Sequence, residues 1–459
     1  MSDKPALTPM RAELRETLRL AAPLAATNLL QMLVHFIDVA FITRLGSKPL
    51  AASGLGIAIF GLTLWALTAL ATACAPLIAA ELGRRDHAVR EVRRSVRMAL
   101  WLAVLTGLVG MAIGFSGEWI LLLLGQEAEI SAMAGEFLAI ISWAMIPMIA
   151  ASVMRTFVAA LGKAGYATWI TVLAVGVNLL GNWALVFGHL GLPALGLHGS
   201  AISSVITSLA MIGAYGLVIR IDRKLRRYRV LGRWWRPDWQ RMREILAIGA
   251  PIALTVSAEA GLFSLAAILM GRIGEAELAA HIVALNVAAL AFQVPFGINQ
   301  AATIRVGYHF GAGDRAAIGH AGWSSIALSV GFMATNALAM LLAPTVILRL
   351  YVDPAAPQNA VLVGLAVQYL MVAAAFQLFD GAQAVAAGAL RGLQDTSMPL
   401  AIALFGYWAV GFTTAIGLGF YTSLAGLGVW IGLALGLVVV AILLTWRWHR
   451  REHLGLLPR

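Results

Sequence analysis

The sequence RLGSKPLAA at residues 44–52 recurs as RIGEAELAA at residues 272–280. The similarity extends outward from this stretch, because residues 18–86 align with residues 246–314 without a gap when the chain is shifted by 228 positions. Internal similarity at a fixed offset is the signature of a duplicated structural unit. The chain is therefore predicted to consist of two similar halves.

The positions that match between the halves are those that determine backbone geometry. Pro23 aligns with Pro251, and Gly46 aligns with Gly274. Proline interrupts the hydrogen-bond ladder of a helix, and glycine permits tight turns. The two prolines are candidate hinges in the first helix of each half, and static kinks are the alternative interpretation.

The composition indicates a membrane protein. Of the 459 residues, 60% are hydrophobic and 12% are charged, whereas an average soluble domain has about 25% charged residues. A helix needs about 20 apolar residues to cross a bilayer. The apolar runs predict twelve spans, at residues 18–43, 50–80, 96–116, 131–154, 165–188, 196–219, 245–271, 278–308, 320–348, 361–389, 397–420 and 424–446.

The predicted fold class is an all-α integral membrane protein, with twelve transmembrane helices in two pseudo-symmetric six-helix lobes around a central cleft. Six spans return the chain to the same side, so the halves have the same orientation. The predicted organisation is a cytoplasmic amino terminus (1–17), an N-lobe (18–219), a basic cytoplasmic linker (220–244), a C-lobe (245–446) and a cytoplasmic carboxyl terminus (447–459).

The net charge of +11 is distributed asymmetrically about the predicted spans. Only Arg44, Lys48, Arg272 and Arg349 fall on one side, and nearly all of the other Lys and Arg residues fall on the side of both termini. The positive-inside rule places both termini in the cytoplasm of a bacterium, with the chain in the inner membrane. These basic loops are expected to contact anionic lipids, and their distribution argues against a nucleic-acid partner.

Three carboxylates lie within apolar spans: Asp38, Glu259 and Asp380. A charged residue at bilayer depth costs at least ~2.5–3.5 kcal/mol, and such residues persist mainly where they face a cavity and bind a partner. Three anionic positions predict that the cargo, or the ion that drives transport, is a cation.

Asp38 is expected to form a site with polar residues of the fifth and sixth spans. Asn178 and Asn182 are spaced i, i+4 and so share a helix face, and Ser203 follows on the next span. These groups offer oxygens to Na⁺, and Asp38 could equally hold a proton. A polar network that only holds helices together is the alternative.

Glu259 and Asp380 are both expected near the membrane midplane, where they can converge on one cavity. Two carboxylates in one low-dielectric site should not both stay ionised without a cation. An organic cation, Na⁺ or H⁺ would then compete for the same negative charge.

Several aromatic residues within the spans are candidates for a substrate cavity, because aromatic faces attract organic cations. Core or lipid-facing packing is the alternative for each of them. The candidates, with a histidine one turn before Asp38, are Trp65, Trp183, Phe292, Phe376 and His35.

No enzyme constellation is recognisable in the sequence, which has no Gly-rich phosphate loop, no Walker lysine and no metal-spaced His/Cys cluster. The chain is predicted not to be an enzyme and to need no cofactor, so that transport would be driven by an ion gradient of H⁺ or Na⁺ or would be passive. No feature requires an obligate protein partner, and a monomer is expected.

With these features in place, the chain resembles the multidrug and toxic compound extrusion (MATE) family, and within it the NorM-like branch. The resemblance covers essentially the whole chain. Its most specific stretches are in the second half: Glu259, then AAHIVALN at 279–286 and IRVG at 304–307, and later DGAQ at 380–383 and GALRGLQDT at 388–396.

The resemblance implies two six-helix lobes and efflux of amphipathic organic cations in exchange for Na⁺ or H⁺. Glu259 and Asp380 look like the acidic pair of NorM-like members, and Asp38 looks like the acid of the first lobe. Asn178, Asn182 and Ser203 occupy its supporting positions, where Ser203 replaces the usual threonine.

Two departures from the family pattern concern the second half. Phe376 stands where a tyrosine is often found one turn before the acid, and Ile282 follows the eighth-span histidine in place of a common glutamine. The loss of a hydroxyl ligand weakens the Na⁺ interpretation for this half and favours H⁺.

A lipid-linked oligosaccharide flippase of the same superfamily is the alternative function. Its anionic pyrophosphate cargo calls for a cavity lined by Arg and Lys. The spans of this chain contain acids and almost no bases, which favours a cation antiporter.

Overall fold

The computed structural model describes residues 9–85, 87–232 and 237–458, and these residues are predominantly helical. Twelve of the described helices are long and apolar enough to cross a membrane. We number them α1–α12 in chain order: Met10–Thr43, Ser47–Arg84, Ala88–Phe115, Ala128–Ala160, Gly165–Phe187, Leu197–Ile221, Trp239–Ile273, Glu275–Ala312, Arg315–Leu342, Pro357–Gly392, Ser397–Phe420 and Ala425–His449.

The predicted fold class and the twelve spans are confirmed. The helices extend beyond the predicted spans, since α1 begins at Met10 rather than at residue 18 and α8 continues to Ala312. These extra turns carry the charged residues that a hydropathy criterion excludes. Of the two aligned turn glycines, Gly46 has a φ of 111°, a backbone conformation that favours glycine. Gly274 has a φ of 176°, which is extended backbone that any residue can adopt.

The chain forms two compact units whose boundaries lie inside helices. An amino-terminal unit comprises Ala26–Ala253, and a carboxyl-terminal unit comprises Met1–Ala25 with Leu254–Arg459. The predicted lobes 18–219 and 245–446 therefore differ from these units at the starts of α1 and α7, and the described part of the linker 220–244 belongs to the amino-terminal unit. Each first helix of a half begins in the unit formed mainly by the other half.

The start of α1 and the start of α7 each lie in the unit formed mainly by the other half, and we call them the exchanged helix starts. Close backbone packing holds each of them in its unit. In the carboxyl-terminal unit, a Cβ added to Gly297 on α8 would lie 2.6 Å from the Ala25 backbone nitrogen on α1. In the amino-terminal unit, a Cβ added to Gly249 on α7 would lie 2.7 Å from the Leu70 carbonyl on α2. Glycine is required at both positions because the helices approach too closely for any side chain.

A buried ion cluster also fixes the start of α1 in the carboxyl-terminal unit. The Arg305 guanidinium on α8 donates to both Glu13 oxygens, with Nε–Oε1 2.7 Å and Nη2–Oε2 2.6 Å. His309 Nε2 lies 3.4 Å from Glu13 Oε2. This bidentate geometry is the strong form of an arginine–carboxylate pair.

A second buried cluster fixes the start of α7 in the amino-terminal unit. Arg241 Nη2 donates to Glu81 on α2 at 3.1 Å. Arg241 Nε donates to Ser95 Oγ on α3 at 2.8 Å. Both Arg241 and Glu81 are buried. Each has one further charge partner, since Arg241 Nη1 donates to Glu244 at 2.7 Å and Arg84 Nη1 donates to Glu81 at 3.4 Å.

The two clusters occupy equivalent positions of the repeat with opposite polarity. The 228-residue offset relates Glu13 to Arg241 and Glu81 to His309. If each first helix packed against the second helix of its own half, Glu13 would meet Glu81 and Arg241 would meet His309. The contact between two carboxylates, and the lack of a carboxylate for Arg241, disfavour that pairing, so the charge pattern favours the observed one.

Removing one member of the Arg241–Glu81 pair should destabilise the protein. Arg241→Gln leaves buried Glu81 with only Arg84, at 3.4 Å, as its cation, so the loss of stability should stay below the about 3–5 kcal/mol of a fully broken buried pair. The double variant Arg241→Gln/Glu81→Gln should lose less than the sum of the two single changes. Unfolding in detergent measures both effects.

Arg243→Gln is the matched control, because Arg243 is exposed and lies two residues away on the same helix. A surface change of this kind should remain within about 0.5 kcal/mol of the unmodified protein. If Arg241→Gln is as stable as Arg243→Gln, the buried pair does not fix the start of α7.

Candidate cation-coupling sites

Asp38 on α1 accepts three hydrogen bonds in the amino-terminal unit. Its Oδ1 accepts from Asn178 Nδ2 at 2.9 Å and from Asn182 Nδ2 at 2.7 Å, both on α5. Its Oδ2 accepts from Ser204 Oγ on α6 at 3.2 Å. The i, i+4 spacing of the two asparagines places both amides on the face of α5 that meets Asp38, as the sequence indicates.

Ser203 supports this site without touching Asp38. Its hydroxyl donates to the Asn178 carbonyl at 3.1 Å and lies 3.4 Å from Asn182 Nδ2. A Cβ added to Gly181 would lie 2.3 Å from Ser203 Oγ, so that glycine allows α5 and α6 to approach closely. Ser203 thus positions the asparagines, and the neighbouring Ser204 supplies the direct contact.

Two buried amide oxygens of this site have no hydrogen-bond partner among the described residues: Asn178 Oδ1 and Asn182 Oδ1. Leaving a buried acceptor unsatisfied costs about 1–3 kcal/mol. Among the described residues no arginine or lysine forms an ion pair with Asp38, and only His35 acts electrostatically on it. The site therefore combines a carboxyl group that has only neutral hydrogen-bond donors with two buried amide oxygens that lack a partner.

The carboxyl-terminal unit holds a second acidic site, in which one glutamine bridges two carboxylates. Gln383 Nε2 donates to Asp380 Oδ1 at 3.1 Å and to Glu259 Oε1 at 3.3 Å. Asp380 and Gln383 are spaced i, i+3 on α10 and so share a face. This bridge brings the side chains from α7 and α10 together, as expected from their predicted depth.

Tyr407 on α11 completes the hydrogen-bond chain of this site. Its hydroxyl donates to Gln383 Oε1 at 2.7 Å and also interacts with Glu259. Residues Phe405–Phe412 form a π-helical segment within α11, and such segments occur frequently at functional sites. Sequence reasoning missed Tyr407, because a π-helical turn shifts the register of the helix face.

Arg391 is the cation that acts on this site. It lies two turns beyond Gln383 toward the end of α10 and interacts electrostatically with Glu259. Among the described residues it forms no ion pair within 4 Å. One guanidinium set against two carboxylates leaves a net charge of −1 when both acids are ionised.

Among the described residues, the aromatic candidates of each unit make no ring contact with one another. Trp65 is 64% exposed and Trp183 is 39% exposed, and Trp183 stacks on His189 with ring centroids 4.4 Å apart. Phe292 stacks on Phe296 at 6.2 Å.

The other two cavity candidates have contrasting environments. His35 is exposed and acts electrostatically on Asp38. Phe376 is only 3% exposed and stacks on Trp430 at 5.8 Å. Phe376 is thus buried within its unit against Trp430.

The match to a known protein family covers one range of residues in each half of the internal repeat. One family model, described as MatE, matches residues 23–184 and 251–416. The chain belongs to this family. The two matches begin at Pro23 and Pro251, which are 228 residues apart and so reproduce the offset of the internal repeat. Because the MATE family is one of transporters, the prediction that the chain is not an enzyme is confirmed.

Relatives within the MATE family are similar over nearly their whole length. The chain is 44% identical to the probable multidrug resistance protein NorM of Mesorhizobium japonicum over 97% of this chain and 95% of that protein. It is 38% identical to the multidrug resistance protein NorM of Burkholderia vietnamiensis over 95% and 93% of the two chains. These similarities confirm the NorM-like assignment.

Solved transporter structures share the fold at lower identity. The eukaryotic MATE transporter AtDTX14 superposes with a TM-score of 0.87 at 20% identity, covering 96% of both chains. A MOP superfamily transporter from Pyrococcus furiosus superposes with a TM-score of 0.86 at 19% identity, covering 99% of both chains. At these identities the likeness establishes the fold.

Cation binding at Asp38 should be visible as a change in stability. A ligand at ten times its Kd stabilises the folded state by about 1.4 kcal/mol. We expect the melting temperature of the detergent-solubilised protein to rise with Na⁺ at constant ionic strength, or to change with pH, and Asp38→Asn to weaken that response.

Glu136→Gln is the control for this measurement, since Glu136 is an exposed acid of the same unit that contacts His198. Glu136→Gln should keep the response of the unmodified protein. An identical response in Asp38→Asn would show that the cluster around Asp38 is only a structural network.

Proposed function

We propose that the protein is a secondary active multidrug efflux antiporter, which exports amphipathic organic cations in exchange for H⁺ or Na⁺ by alternating access. The names of its full-length relatives support multidrug efflux, since these are described as multidrug resistance proteins. The asymmetric distribution of Lys and Arg supports a bacterial inner-membrane location with both termini in the cytoplasm.

The observation that carries this proposal is the unbalanced negative charge within each unit. Asp38 has only neutral hydrogen-bond donors, and the Glu259–Asp380 pair has Arg391 as its cation. Counting His35 beside Asp38 as neutral, each site is one positive charge short of neutrality when its acids are ionised. In a low-dielectric membrane interior that deficit favours uptake of one monovalent cation.

Competition for this charge would couple the two fluxes. A bound organic cation neutralises a carboxylate that would otherwise take H⁺ or Na⁺, so release of one permits binding of the other. A ligand shifts a conformational equilibrium only by its differential affinity for the two states. Exchange follows if the empty, negatively charged site disfavours the conformational change that switches access from one side of the membrane to the other. Binding of either cation would remove that obstacle.

The neighbours of the acidic pair favour H⁺ as its coupling ion. Gln383 presents its N–H groups, and not its oxygen, to Glu259 and Asp380. The Gln383 oxygen is already occupied by the Tyr407 hydroxyl. Na⁺ is coordinated by several oxygens, whereas a proton needs only a carboxylate, so this ligand set suits H⁺. Asn178 and Asn182 also present N–H groups to Asp38, but unlike Gln383 they keep their oxygens free, so the site at Asp38 leaves Na⁺ open as well as H⁺.

Transport in proteoliposomes tests the proposal. Vesicles loaded with ethidium and purified protein are given an inward H⁺ gradient alone, and then an inward Na⁺ gradient alone. We expect ethidium efflux with at least one gradient, and a loss of at least tenfold in rate for Glu259→Gln and for Asp380→Asn.

The matched control is Glu277→Gln, which changes an acid in the first turn of α8. This variant should transport at a rate close to that of the unmodified protein. Absence of efflux under both gradients from correctly inserted protein would contradict antiport of organic cations. Full activity of both Glu259→Gln and Asp380→Asn would contradict the role of the acidic pair.

A further inference from the structure

A basic cavity lies at one end of the carboxyl-terminal unit, away from the acidic sites. Its volume is about 540 Å³. It is formed by the start of α1, the first turns of α9 and the residues that follow α12. The lining residues that the argument uses are Met10, Arg315, His320, Trp323, Arg451 and Glu452.

Both arginines of the cavity are held in place by neutral groups. Arg315 donates from Nε at 3.0 Å and from Nη2 at 2.8 Å to the Pro458 carbonyl. Arg451 donates from Nη1 to the Trp448 carbonyl at 3.0 Å and lies 4.7 Å from the centroid of the Trp448 ring. A carbonyl or an aromatic face orients a guanidinium without neutralising it.

These two arginines differ in their ion pairing from other arginines near the same helix ends. Arg305 pairs with Glu13, and Arg447 pairs with Asp395 at 2.6 Å. Within the described part of the chain, neither Arg315 nor Arg451 forms an ion pair with a carboxylate, and Arg451 Nε has no hydrogen-bond partner. Two oriented and unpaired guanidinium groups are the arrangement that binds phosphate.

Glycine at position 319 is part of this arrangement. A Cβ added there would lie 2.7 Å from Arg451 Nη2, so the guanidinium rests directly on the backbone of α9. Among the described lining residues the one acid is Glu452, which is exposed and acts electrostatically on Arg451. His320, which directly follows Gly319 on α9, adds a third group that can donate a hydrogen bond to an anion.

The position of the cavity indicates the source of the phosphate. The start of α1, the start of α9 and the end of α12 lie on one side of the membrane, because even numbers of spans separate them. Trp323 lines the cavity and the exposed Trp446 lies on the last turns of α12. Tryptophan is enriched at the level of lipid headgroups, and Met10 adds an apolar wall.

We propose that this cavity binds the phosphate headgroup of an anionic phospholipid, with Arg315 and Arg451 as its principal ligands. The headgroup would join the start of α1, the start of α9 and the residues that follow α12. This binding site does not depend on the transport mechanism proposed above, because its residues are separate from both acidic sites.

The test measures stabilisation of the delipidated protein by phosphatidylglycerol, with phosphatidylcholine and inorganic phosphate as comparisons. We expect phosphatidylglycerol to raise the melting temperature more than phosphatidylcholine does. Arg315→Gln/Arg451→Gln should lose at least half of this difference. Arg450→Gln is the matched control, because Arg450 is exposed, lies over Trp446 and does not line the cavity.

Two outcomes would overturn the proposal. The first is a lipid response in the double variant equal to that of Arg450→Gln. The second is an equal stabilisation by millimolar inorganic phosphate, which would identify a site for a soluble anion. If the double variant does not fold, the single variant Arg315→Gln, at an exposed position, permits the same comparison.

Discussion

Unpaired carboxylate charge inside apolar helices is the constraint on which the rest of this structure depends. Asp38 is surrounded by amide and hydroxyl donors, and Glu259 and Asp380 share one glutamine. Neutral donors orient a carboxylate but leave its charge in place. A protein that needed only helix packing would gain stability by replacing these acids with apolar residues. Retaining them is understandable if a mobile cation completes each site.

The duplicated architecture provides two such sites on one scaffold, and the exchanged helix starts give it a definite assembly. The ion clusters at Glu13 and Arg241 occupy equivalent positions with opposite charge. Sequence duplication alone would make the exchanged and unexchanged pairings of α1 and α7 similar in energy. Reversal of charge in one copy removes that ambiguity, and Gly297 and Gly249 allow the close packing that follows.

Much of this account could be predicted from the sequence, because apolar runs determine spans and the i, i+4 spacing determines which side chains share a face. The twelve helices and the grouping of Asp38 with Asn178 and Asn182 depend on such local patterns. The role of Tyr407 and the burial of Phe376 could not be predicted in this way. Tyr407 depends on a π-helical segment of α11, and Phe376 on stacking against Trp430 from another helix.

The central claim is that cargo and coupling ion compete for the same carboxylates, and proton release on cargo binding tests it most directly. Ethidium is added to the detergent-solubilised protein in a weakly buffered solution, and the pH change is recorded. The account predicts release of about one proton per ethidium bound, and a clearly smaller release for Asp380→Asn. Binding without proton release, and with the same affinity in Na⁺ as in K⁺, would contradict it.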